Sequence, residues 1–112
     1  MVRSSPITPS LRDDVFSIQL EGPVDLRTVP AIRRVLLSPA KKREINEICV
    51  DFSRVTALDT SGVAMLVEIW RGLAQRNGVL RLSGLTENAK RLIQLARLDQ
   101  LFEMRDDPER GV

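Results

Sequence analysis

What most constrains this chain is a change of hydrophobic period near its middle. The run Glu47-Ile48-Cys49-Val50-Asp51-Phe52 is continuously apolar and β-branched at its centre, the pattern of a central strand. Beyond Gly62 the apolar residues Val63, Leu66, Val67, Trp70, Leu73 and Ala74 recur at helical spacing, with Glu68, Arg71, Gln75 and Arg76 on the opposite face. A buried strand that feeds directly into an amphipathic helix is the building unit of a layered α/β domain.

The rest of the chain repeats that alternation. Val15, Phe16, Ile18 and Leu20 predict a strand that ends at Glu21-Gly22-Pro23 and resumes briefly around Val24. Thr28 can cap a following helix in which Pro30 is permitted in the first turn. Its stripe is Ile32, Val35 and Leu36, and Ser38-Pro39 stops it at about Leu37. Asn77-Gly78 ends the long helix, with Gly78 accepting the left-handed conformation. Val79-Leu80-Arg81-Leu82 is then the next strand. Thr86 caps a third helix from Glu87 whose buried stripe is Ala89, Leu92, Ile93 and Ala96, and Leu101 to Met104 adds a short last strand. The expected architecture is α/β, a mostly parallel or mixed sheet with helices packed on it.

Composition removes several classes of function. At 112 residues the chain has room for one domain and one core. No apolar run approaches the roughly 18 residues that span a bilayer, and Met1 to Pro6 lack the apolar segment of a signal peptide, so the expected location is cytoplasmic with no membrane insertion. Seventeen Lys and Arg against fifteen Asp and Glu leave a net charge of +2, too even a balance to imply nucleic acid. Lys41-Lys42-Arg43 is expected to be a solvated loop. There is no His, which excludes a His relay, a Ser-His-Asp triad and a His metal site; no metal or cofactor is expected. The single Cys49 cannot form a disulfide within the chain and reads as a buried, inert thiol.

Between strand and helix lies Asp59-Thr60-Ser61-Gly62. Asp, Thr and Ser are the preferred residues before a helix and need no function to appear there. Hydroxyls at such a corner can nevertheless be switched: the opening amides lack intrahelical partners, the dipole is positive, and added negative charge is tolerated. A phosphoryl group there would act on a docked partner through bulk and charge.

The run from Ile48 through Asp59-Thr60-Ser61-Gly62 to Leu66 resembles the signature of STAS domains, a buried strand, a short loop, Asp-Ser/Thr-Ser/Thr-Gly and an apolar helix. The likeness extends to Glu21-Gly22-Pro23-Val24-Asp25 with Pro30, to Gly78 through Gly84, and to Leu95 through Phe102. It divides the chain into a flexible start at 1–12, the STAS domain at 13–105 and a polar tail at 106–112. The resemblance implies a mixed four- to five-stranded sheet with helices packed on one side, and a regulatory protein rather than an enzyme.

Two branches of the family remain open. In the anti-sigma factor antagonists, the unphosphorylated domain binds an anti-sigma factor, a serine kinase of the histidine-kinase-like ATPase type, and phosphorylation of the motif releases it. Carried over, the acceptor is Ser61 or else Thr60, and Asp25, Asp59 and Gly62 shape the pocket around it. Pro23 departs from the acidic or polar residue that many relatives carry. In the phospholipid-transporting ABC systems the domain sits against the ATPase, and Thr60 is then the contact residue. A third reading places a nucleotide or other small ligand near Asp25 and Asp59. On the long helix, Met65 and Ile69 are expected to be left outward, and with Thr60 and Ser61 form a candidate partner-binding patch or a homodimer contact.

Overall fold

The computed structural model describes residues 7–105, so residues 1–6 of the expected flexible start and the expected tail at 106–112 lie outside the described residues. In chain order the elements are β1 (Ile7–Arg12), β2 (Val15–Val24), α1 (Val29–Lys41), β3 (Glu47–Leu58), α2 (Thr60–Ala74), β4 (Val79–Ser83), α3 (Glu87–Leu95) and β5 (Glu103–Arg105). They form one five-stranded sheet in the order β1-β2-β3-β4-β5. The β1/β2 pair is antiparallel and the other three pairs are parallel, each joined by a helical crossover. The sheet is therefore mixed, as the resemblance implies.

Strand alternation decides which face is covered. Ile18, Leu20, Ile48, Val50, Phe52, Leu80 and Leu82 share one core with Leu36, Leu66, Ile69 and Ile93 from the three helices. The intervening residues line the other face and bond along it: Gln19 donates to Asp51 at 2.9 Å, and Arg81 bridges Glu47 and Glu103. All three helices thus lie on one side. Cys49 stands on this polar face, half-buried, its thiol donating to Glu47 at 3.2 Å. Burial, with Glu47 beside it, pushes the thiol up to about 11, which keeps it protonated and inert at neutral pH.

The structure departs from the sequence expectations in several places. Ile7–Arg12, placed in the flexible start, forms β1 by pairing with β2. β2 runs unbroken through Gly22-Pro23 because its pairing with β3 shifts register between Gln19 and Glu21 and again between Gly22 and Pro23, absorbing the proline as an irregularity. β3 continues past Phe52 to Leu58, beyond the end of β4, and pairs there with β2 and not with β4. α1 does not stop at Ser38-Pro39 but continues to Lys41 with Pro39 buried inside it. The Arg76 guanidinium binds that end of α1, donating to the carbonyls of Ala40 (2.8 Å), Pro39 (3.3 Å), Ile45 (2.8 Å) and Gly72 (2.9 Å). At the end of α2 it is Asn77, φ 59°, that takes the left-handed conformation. Gly78 is instead a matter of space, since a Cβ would stand 3.0 Å from the carbonyls of Asn46 and Leu73.

One correction bears on function. Met65 and Ile69 are not outward: they are 2% and 0% exposed, while Val67, Trp70 and Ala74 are only half-buried. The buried stripe of α2 is rotated because α1 covers its flank. Met65, Ile69 and Gly72 follow one another at helical steps. A Cβ on Gly72 would come within 2.9 Å of the Ala40 carbonyl, and Arg33 of α1 clasps Glu68 at 2.7 Å on the same side. The two residues hold helix to helix and cannot face a partner. Ala96, expected in the α3 stripe, is exposed because the helix ends at Leu95. Among the described residues no helix is long and apolar enough to cross a membrane.

Candidate functional site

β2 and β3 end side by side, with Val24 paired to Leu58, so the residues that follow, Asp25 and Asp59, emerge at one corner of the sheet. The Asp59 amide donates to the Val24 carbonyl at 3.2 Å and ties the two exits together. Gly62 lies in the tightest part of this junction. A Cβ there would stand 2.6 Å from a Leu58 methyl and 2.9 Å from a Val24 methyl, so the first turn of α2 can seat only a glycine at this depth.

Asp59 is the N-cap of α2, with extended backbone at φ −112° and ψ −175°. One oxygen, Oδ1, accepts from the Ser61 amide at 2.9 Å, the Gly62 amide at 3.1 Å and the Ser61 hydroxyl at 2.6 Å. The Ser61 hydroxyl is the largest cause holding the carboxyl below its usual range, against partial burial; the Gly62, Ser61 and Leu26 amides add to it. Asp59 is therefore ionised at neutral pH, and Ser61 is half-buried with its proton committed to that carboxylate. Thr60 is exposed at the start of the helix.

Asp25 stands beside this arrangement without touching the hydroxyls. Its carboxylate accepts from the Arg27 amide at 3.0 Å and the Thr28 amide at 3.3 Å, closing the turn between β2 and α1. Thr28 stands at the N-cap of α1 as expected, its carbonyl accepting from the Ile32 amide at 3.2 Å, but its side chain makes no cap bond. Its hydroxyl donates to the Pro23 carbonyl at 2.8 Å and accepts from the Asp25 amide at 2.9 Å, so it braces the same turn. Thus Asp25, Asp59, Thr60, Ser61 and Gly62 are brought to one corner, and Met65 and Ile69 are not among its exposed residues. A small depression lies beside the overhanging end of β3, between Val55, Leu58, Leu85 and Ala89, and neither Asp25 nor Asp59 lines it. No group of residues that could hold a metal occurs among the described residues.

A family model described as STAS domain matches residues 7–110. The chain belongs to the STAS family. Among curated relatives, the anti-sigma-B factor antagonist of Staphylococcus epidermidis is 26% identical over 97 residues, covering 87% of this chain and 89% of that protein. The structure of the anti-sigma factor antagonist SpoIIAA in its unphosphorylated form superposes with a TM-score of 0.75 at 20% identity, covering 91% of this chain and 88% of that one. The Bacillus cell fate determinant SpoIIAA in its phosphorylated form gives a TM-score of 0.71, also at 20% identity, with coverage of 88% and 90%. These two likenesses establish that the STAS fold described above is shared; β1, which sequence periodicity did not disclose, falls inside the span of the family match.

Two features of the STAS corner escaped the sequence. The overhang of β3 is legible only as β-branched Val55 and Thr56 in what reads as a loop. The exposed Leu26 had no signal beyond being apolar in a turn.

Proposed function

We propose that this STAS domain is an anti-sigma factor antagonist. It binds an anti-sigma factor that is a serine kinase of the histidine-kinase-like ATPase type, and phosphorylation of Ser61 releases it. The reading is supported by the curated relatives named for that role and by a SpoIIAA structure in a phosphorylated form. The observation that carries it is the Ser61 hydroxyl, held at 2.6 Å by the ionised Asp59 at the start of α2. An acceptor serine needs an oriented hydroxyl beside a group that can take its proton. Once Ser61 carries a phosphoryl group that donor is gone, and roughly two negative charges stand against Asp59 and any surface docked there. Desolvating such charge in an interface costs several kcal/mol, and each 1.4 kcal/mol is about tenfold in affinity. The domain acts by binding, not by catalysis, and works in the cytoplasm.

The test is incubation with ATP, magnesium and each histidine-kinase-like ATPase encoded in the same genome, followed by mass spectrometry of the product. Phosphate on Ser61, absent in Ser61→Ala, is the expected result; phosphate on Thr60 alone would move the acceptor by one residue. The exposure of Thr60 favours one competing role, a contact with the ATPase of a phospholipid-transporting ABC system. Absence of phosphorylation by every kinase, with co-purification of an ABC ATPase lost in Thr60→Arg, would establish that role instead.

A further inference from the structure

Three large apolar residues are exposed among the described residues: Leu11 at 60%, Leu26 at 75% and Leu95 at 77%. Leu11 pairs with Phe16 near the start of β2, and Leu95 ends α3, so both lie toward the end of the sheet away from the Asp59 corner. Leu26 alone stands at that corner, between Asp25 and the start of α1, two residues past Val24, whose carbonyl accepts from the Asp59 amide at 3.2 Å.

Leu26 is also held out, not merely left out. Val24, two residues earlier, is fully buried. The turn between is braced by Thr28 Oγ1 to the Pro23 carbonyl (2.8 Å), by the Asp25 amide to Thr28 Oγ1 (2.9 Å), by the Arg27 amide to Asp25 Oδ1 (3.0 Å) and by the Thr28 amide to the Asp25 carbonyl (3.0 Å). A side chain presented from a backbone fixed in this way loses little freedom on docking, which is the property of an interface anchor.

We infer that Leu26 is the apolar anchor by which the kinase acting on Ser61 docks, seated in an apolar pocket beside that kinase's nucleotide. The inference rests on the proposed function and narrows it to one contact. An enzyme that transfers phosphate to Ser61 Oγ brings the donor phosphorus to about 3–3.5 Å from that oxygen. A standard interface covers about 800 Å² on each partner, many times the area of one residue. Leu26 and Ser61 each lie two residues beyond a bonded pair, Val24 and Asp59, tied by the Asp59 amide to the Val24 carbonyl at 3.2 Å, so a footprint of that size over Ser61 takes in Leu26. Phosphorylation then adds charge next to the seated leucine, where desolvation is most costly.

The experiment uses the kinase that phosphorylates wild-type protein and measures its affinity for wild type, Leu26→Ser, Leu26→Met, Leu11→Ser and Leu95→Ser, with unfolding midpoints confirming that each variant is folded. Losing a fully seated leucine weakens binding about tenfold to hundredfold. Leu26→Ser is expected to show that loss and Leu26→Met to recover most of it. Leu11→Ser and Leu95→Ser should bind as wild type does. In phosphorylation assays Leu26→Ser should raise KM while kcat at saturation is kept, the mark of lost docking and not of a disturbed acceptor. Leu26→Ser binding as tightly as wild type would overturn the anchor and leave the phosphorylated switch standing. If wild type binds no such kinase, the functional reading fails and the anchor falls with it.

Discussion

At the scale of single residues, the corner depends on one carboxylate and one missing side chain. Asp59→Ala removes the acceptor of two helix amides and of the Ser61 hydroxyl, and should cost about 1 kcal/mol in urea unfolding at pH 7. The folded Asp59 carboxyl is depressed below its ordinary value of 3.8, so its contribution is present above that value and is lost as pH falls through the folded value. The gap between wild type and Asp59→Ala should therefore narrow as unfolding is repeated from pH 5 down to about pH 3; a constant gap would show that the charge contributes nothing. Gly62→Ala gains helix propensity but drives its Cβ into Leu58 and Val24 methyls at 2.6 and 2.9 Å, with the Val24 carbonyl at 3.3 Å behind them. Overpacking should win, lowering stability by about 1–3 kcal/mol, which the same unfolding measurement reads. The motif was legible in the sequence because capping chemistry is local. Met65 and Ile69 were not, because helical periodicity fixes a stripe only when one neighbour covers the helix. Here α1 covers a second flank, and the sign of it was Gly72, three residues beyond Ile69, where the helices touch.

At the scale of elements, two ends are informative. α1 passes through Pro39, and Arg76, reaching across from just beyond α2, ties down its last turn by donating to the Pro39 and Ala40 carbonyls there and to those of Ile45 and Gly72 beside it. Arg76→Met keeps much of the volume and none of the donors, and should cost about 2–3 kcal/mol in chemical denaturation. Arg76→Lys should recover only part of this, since an ammonium cannot fan across several carbonyls as a planar guanidinium does. α3 ends with Arg97 at φ 62°, its amide bonded to the Gln94 carbonyl at 2.9 Å and the Leu98 amide to the Ile93 carbonyl at 3.0 Å. Such a left-handed end ordinarily favours glycine, so Arg97→Gly should raise stability by about 0.5–1 kcal/mol, visible as a higher thermal midpoint. Helix cores and three strands were readable from period alone, whereas their ends were not. A proline reads as a stop when what ties down the turn after it, here Arg76 on the Pro39 and Ala40 carbonyls, lies far away in sequence, and Gly22-Pro23 reads as a break unless the neighbouring strand can shift register.

At the scale of the whole molecule, the sheet has a covered face and a polar face, and its stability rests on how its edges are closed. β1 is polar in Ser10 and Arg12, carries Pro9, and shows no clean alternation, so its sequence alone does not announce a strand. Its pairing explains it: Ser10, Leu11 and Arg12 lie opposite Ser17, Phe16 and Val15, and they occupy the outer edge of β2. β2 is otherwise an inner strand, bonded to β3 along nearly its whole length, with Ile18 and Leu20 buried. Trimming the chain to begin at Asp13 would leave one row of β2 backbone donors and acceptors open beside an apolar strand, the arrangement that templates pairing with another chain. The trimmed protein should therefore self-associate as concentration rises, seen as a growing mass in analytical ultracentrifugation, while the full chain under the same conditions keeps one species. Equal behaviour of the two would mean that β1 adds little to the sheet. In that case the corner at Asp59, at the other end of β2, would also be expected to keep its affinity for a partner. If β1 does close the edge, its removal should loosen β2 up to Val24 and, through the Asp59 amide bonded to the Val24 carbonyl, weaken docking at the switch.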